Sequence, residues 1–205
     1  MDLLTHALTA ALLACTFNIP QLMPFLVLGA VIADSDILFA GISGGSPPLY
    51  LFIHGGITHS IAGAVLLSVI AWISAVFVLA TGLVQSAEVP AISISFVAVR
   101  CGTLLHIGLD SLAVPGVPLL APFSDRKFTA SLLPGPSLVL MAASLVFLIS
   151  TGFGVNDPAS AIVPYAAVLS AYLAVRLIAF FLARAALRRK GRAVPMMNPI
   201  RWLVI

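Results

Sequence analysis

Ile61 to Leu83 reads IAGAVLLSVIAWISAVFVLATGL, with no Asp, Glu, Lys, Arg or His anywhere in it. A hydrocarbon core about 30 Å thick is crossed by about 20 consecutive apolar helical residues, so this run is long enough to span a bilayer. In lipid, only a helix satisfies every backbone polar group within one segment. The stretch therefore predicts a transmembrane helix, entered from Thr58 and uncharged from Ser60 onward.

The rest of the chain has the same character. Of 205 residues, 61% are hydrophobic and 8% charged, with a mean hydropathy of +1.16; a soluble domain carries about 25% charged residues. This composition predicts an all-α, polytopic membrane helix bundle of about six spans, forming one domain over residues 1–205. The spans are expected at Leu3–Phe17, Leu22–Gly41, Thr58–Leu83, Ala91–Val114, Ser137–Phe153 and Ala161–Arg188. The first is short for a full crossing, and Asn18 to Pro20 ends it.

Net charge is +3, but much of it comes from Arg184, Arg188, Arg189, Lys190 and Arg192, so it bears on orientation and not on nucleic-acid binding. With six crossings both termini share one side, together with Arg126 and Lys127 between spans four and five. The positive-inside rule makes that side cytoplasmic. Asp2 and the absence of Lys or Arg before Arg100 do not fit a signal peptide, so the N-terminal segment is expected to be retained. Cys15 and Cys101 stand alone in apolar segments and read as small buried hydrophobes.

Span parity gathers the titratable residues. Asp2 and His6 fall at the cytoplasmic end of span one, Asp34 and Asp36 at that end of span two, His54 and His59 at the entry to span three, and His106 and Asp110 near the exit of span four. All 4 histidines and four of the 7 acids thus share one depth. Asp2 with His6, and His106 with Asp110, are four apart and lie on one helical face. Asp34 and Asp36 are two apart, and both turn inward only if the helix unwinds there.

Imidazole with carboxylate is the ligand set of zinc and other first-row divalent ions. Eight such residues, Asp2, His6, Asp34, Asp36, His54, His59, His106 and Asp110, exceed the needs of one tetrahedral ion. They point to two or more ions, or to one whose histidines are oriented by carboxylates. A bound metal brings water to a pKa of about 7, which makes hydrolysis of a phosphoester the natural reaction. Asp34 and Asp36 are ligands or general base, while Arg126, Lys127 and the Gly55 and Gly56 amides are positioned to hold an anionic group.

Blander roles compete for the same residues. A single intramembrane His or Asp is often satisfied by a neighbouring helix, Arg126 and Lys127 serve equally as a positive-inside anchor, and the glycines let helices pack. Arg100 and Arg176 read as ion-paired or snorkelling residues. Thr5, Thr58 and Ser60 read as caps or orienting donors, since no Ser-His-Asp spacing marks a nucleophile. At the level of the whole protein, the rivals to a hydrolase are a divalent-cation or proton-coupled transporter and a regulatory protein with a structural metal. Transporters usually place the site at the midplane between sequence repeats, and this chain has no repeat.

The order of motifs resembles the YdjM-like family. It is carried by Asp2-Leu3-Leu4-Thr5-His6, Asp34-Ser35-Asp36, His54-Gly55-Gly56-Ile57-Thr58-His59-Ser60, His106-Ile107-Gly108-Leu109-Asp110-Ser111 and Pro122-Phe123-Ser124-Asp125-Arg126-Lys127-Phe128, all within residues 1–130. Asn198-Pro199-Ile200-Arg201-Trp202 carries it more weakly. The resemblance implies an inner-membrane protein and a metal-dependent hydrolase; one family member is LexA-regulated. Two residues depart from the pattern: Gly55 stands where the family usually has Arg, and Ala33 where it usually has Pro. Many members continue into a soluble C-terminal domain, which is expected to be missing here.

Overall fold

The structure, a computed structural model, describes residues 1–39, 55–82, 90–154, 158–187, 193–198 and 200–204. Among these residues there are six α-helices: α1 Leu3–Thr16, α2 Met23–Ile32, α3 Ile61–Ala80, α4 Ile92–Ser111, α5 Leu138–Gly152 and α6 Pro158–Ala186. A two-stranded antiparallel hairpin, β1 Ala193–Pro195 with β2 Trp202–Val204, follows. The chain divides into two compact units, one of His6–Leu109 with Val117–Phe128, the other of Met1–Thr5, Asp110–Gly116 and Thr129–Ile205.

Among the described residues, four segments are long and apolar enough to cross a membrane: Pro20–Ile37, Ile61–Ala80, Ile92–Ser111 and Ala161–Ala186. Each of the six expected spans contains a helix among its described residues, but α1 and α5 have 14 and 15 residues. At 1.5 Å per residue they reach only about 21–23 Å. Large apolar side chains stand exposed along the longer helices, among them Leu66, Phe77, Val97 and Leu182, as lipid-facing surfaces require, and Cys15 and Cys101 are exposed with them and not buried as expected.

In the four-helix unit, α1 and α2 share one apolar cluster. Asn18, at φ 54°, ends α1, and Ile19 N donates to Ala14 O at 2.9 Å. Pro24 sits in the first turn of α2, where its missing N–H costs no helical bond. Ala10 and Ala14 of α1 pack with Phe25 and Leu26 of α2, Ala71 of α3, and Ala98 and Val99 of α4. These small residues let the backbones approach. Helix α2 also crosses close on α4: a Cβ built on Gly29 would lie 2.0 Å from Val99 O, and one on Gly102 2.2 Å from Leu26 O. Only glycine fits at either position.

Helices α3 and α4 are antiparallel. Trp72, midway along α3, donates to Ser95 in the first turn of α4 at 3.1 Å, whereas His59, just before α3, lies against His106 near the end of α4. Ser60 caps α3 by accepting from Gly63 N at 3.0 Å, a cap worth about 1 kcal/mol.

The second unit pairs α5 with α6. Ser144 and Tyr165 join them through their hydroxyls at 3.2 Å, and Ser137 caps α5. Arg176, fully buried in α6, donates through Nε and Nη2 to Leu132 O at 3.0 and 2.9 Å. Its Nη1 reaches Met196 O and Asn198 O, both at 3.3 Å, and its guanidinium lies 4.9 Å from the centre of the Trp202 ring. The Asn198 to Trp202 motif thereby ties the hairpin to α6.

Candidate metal centre

The centre is built in the four-helix unit where α2 unwinds. From Ala33 to Phe39 the chain continues as a 3-10 helix, and the tighter winding lets Asp34 and Asp36 both turn inward, at 5% and 1% exposure. A second 3-10 turn, Ile57–His59, precedes α3 and buries Thr58 and His59. His6 comes from the first turn of α1 and His106 from the last turns of α4; both are fully buried.

Hydrogen bonds fix the imidazole tautomers. Thr58 Oγ1 donates its single proton to Asp36 Oδ2 at 2.7 Å, so at 2.9 Å from His59 Nδ1 the same oxygen accepts, and Nδ1 carries the hydrogen. His106 Nδ1 likewise donates to Ala30 O at 2.7 Å, because a carbonyl only accepts. With Nδ1 engaged in both rings, Nε2 is the nitrogen left to face the centre. This is the arrangement found around metal-bound histidines, whose other nitrogen is held by a carbonyl or carboxylate.

Both Nε2 atoms face the same carboxylate oxygen. Asp34 Oδ1 lies 3.4 Å from His59 Nε2 and 3.7 Å from His106 Nε2. Ligands bound at about 2.0–2.1 Å in a tetrahedron are separated by about 3.3–3.4 Å, so these spacings are close to the edges of a tetrahedral site. His6 completes the group: a ligand atom from each of His6, Asp34 and His106 lies within 4.8 Å of the others. The His6 and His106 rings stack with centroids 3.9 Å apart and 24° between planes. Two imidazole nitrogens converging on one carboxylate oxygen, with a third imidazole beside them, form a donor set that fits a divalent metal.

Asp36 is set one step back, 3.5 Å from His59 Nδ1 and bound to Thr58, where it orients His59. Asp110 follows His106 by one turn on α4 and accepts from the Met1 amine. Asp2 caps α1, accepting from Thr5 N at 3.0 Å and Thr5 Oγ1 at 2.7 Å. His54 lies outside the described residues. Gly55 has φ 74° and Gly56 leads into the turn that carries His59. Arg126 and Lys127 are exposed on the loop Val117–Phe128.

The description "YdjM inner membrane protein" belongs to the family that matches residues 1–183. The chain belongs to the YdjM family. Comparison with curated proteins and with solved structures returns no match. Among the described residues of this YdjM protein, the match encloses the whole His/Asp cluster. Sequence reasoning placed Thr58 as a cap or orienting donor, and its hydroxyl does bridge Asp36 and His59. It missed Ala30 O as the partner of His106, since a backbone carbonyl has no sequence signal beyond Gly29 and Gly102, which bring α2 against α4.

Proposed function

We propose that this YdjM protein is a membrane-embedded, metal-dependent hydrolase that cleaves a phosphoester of a lipid or membrane-proximal substrate. The observation that carries the reading is the convergence of His59 Nε2 and His106 Nε2 on Asp34 Oδ1, with both tautomers set by Thr58 and Ala30. His6, Asp34, His59 and His106 would hold the ion, with zinc the best match to this ligand set. Asp110, one helical turn beyond His106, and His54 are further candidate ligands, and a second ion is part of the proposal.

A bound divalent ion supplies Lewis acidity toward water and toward a phosphoryl oxygen. The protein's own residues do the rest. Asp36 holds Thr58 and through it the His59 ring, which keeps Nε2 turned toward Asp34. Asp2 fixes the start of α1, and with it the approach of His6. Arg126 and Lys127 offer positive charge to an anionic group. The proposed topology has both termini at the cytoplasmic face, in keeping with these two basic residues and the basic run after α6.

The test is phosphate or head-group release from a panel of phosphorylated lipids, with wild type and Asp34→Asn reconstituted in vesicles. The reading expects metal-stimulated turnover of at least one lipid by wild type and none by the variant. If the ion were only structural, the variant would lose thermal stability and neither protein would turn over. A carrier would instead move the ion across the vesicle membrane without cleaving anything.

A further inference from the structure

The loop Val117–Phe128 is tied down by backbone hydrogen bonds and yet presents apolar side chains to the outside. Val117 and Phe128 close it through reciprocal backbone bonds at 3.0 and 2.9 Å. Leu119 O accepts from Ile61 N, the first residue of α3, at 3.1 Å, and Val117 packs with Ala64 and Ile107. The loop is therefore seated on the residues next to His59, Ser60 and His106. From this base Phe123 projects at 93% exposure and Leu120 at 51%, beside exposed Asp125, Arg126 and Lys127.

These features belong at a bilayer surface. The loop leaves the end of α4 and touches the start of α3, and both helices have the 20 residues needed to cross a membrane, so their shared end lies at a membrane face. An aromatic side chain held almost wholly in water is unfavourable, whereas the acyl–headgroup boundary accepts it. Arg126 lies 5.5 Å from the centre of the Phe128 ring, and its amide donates to Ser124 Oγ at 3.3 Å, which orders the basic end of the loop. Arg126 and Lys127 outweigh Asp125, and the surplus positive charge complements lipid phosphate.

We infer that the loop is an anionic-lipid docking element: Phe123 and Leu120 insert into the bilayer surface while Arg126 and Lys127 bind the headgroups of anionic phospholipids. It thereby gathers acidic lipid beside the His/Asp centre. The step from bound lipid to substrate rests on the hydrolase reading; the binding does not.

The test is Phe123→Trp protein in phosphatidylcholine vesicles containing phosphatidylglycerol, with one lipid or the other brominated and the wild-type signal of Trp72 and Trp202 subtracted. The added emission is expected to be blue-shifted, and quenched more by brominated phosphatidylglycerol than by brominated phosphatidylcholine. Adding Arg126→Gln and Lys127→Gln is expected to abolish that preference, since each basic side chain near the surface favours anionic lipid about fivefold. Emission typical of water and unquenched by either lipid, or equal quenching by both, would overturn the inference. Asp34→Asn is expected to leave all of these readings unchanged, so a failed hydrolase assay and a failed docking test remain separate results.

Discussion

His59 and Asp34 meet at 3.4 Å through Nε2 and Oδ1, an imidazole nitrogen and a carboxylate oxygen brought together by two 3-10 turns from different parts of the chain. Their approach depends on Thr58, whose hydroxyl both donates to Asp36 and accepts from His59 Nδ1. Replacing Thr58 with valine keeps the volume and removes this bridge. Metal affinity is expected to fall by about 10–100-fold, measured by competition with a chromophoric chelator. An unchanged affinity would mean that the ring is oriented by packing alone.

Gly29→Ala places a methyl group where Val99 O already stands, at 2.0 Å. The helices α2 and α4 must then separate, at a cost of about 1–3 kcal/mol, and Ala30 O is drawn away from His106. Both a lower melting temperature and a weaker metal site are expected. Thermal unfolding with and without added metal checks them together, and a variant as stable as wild type would show that the crossing is looser than described.

Arg176→Met removes a guanidinium that reaches Leu132, Met196 and Asn198 carbonyls. Leaving buried acceptors unmet costs about 1–3 kcal/mol. The hairpin of β1 and β2 is expected to become sensitive to protease while the metal content stays as in wild type. Loss of metal would reveal a coupling between Arg176 and the centre.

Gly55→Arg restores the residue usual in the family at a position whose added Cβ would have nothing within 4 Å. The left-handed φ of 74° sets a penalty of about 1–2 kcal/mol. A slightly less stable protein that turns over anionic substrate faster is the expected result, read from melting temperature and kcat/KM. No gain in kcat/KM would remove position 55 from the substrate site.

Much of this was legible in the sequence, and the reasons are physical. Uncharged runs such as Ile61 to Ala80 have only one way to be stable in a bilayer, so helix existence followed from composition. Asp34 and Asp36 could share an interior only if regular helix ended before them, and it does, at Ile32. Helix ends were less readable: Ser111 closes α4 three residues before the expected Val114, because the turn after it is fixed by Ala130 N donating to Ser111 O at 2.7 Å, a pairing of distant residues. Ala30 O as a partner of His106 was invisible for the same reason, and so was the lodging of Arg176 among carbonyls of the hairpin, where the sequence alone pointed to an ion pair or snorkelling.

The central claim is most directly tested by the metal content of the purified protein, measured by inductively coupled plasma mass spectrometry beside His106→Ala and Asp34→Asn. At least one divalent ion per wild-type chain is expected, with zinc the leading candidate, and its loss from both variants while they remain folded. Wild-type protein that holds no divalent ion after purification and takes up none when zinc is supplied would contradict it.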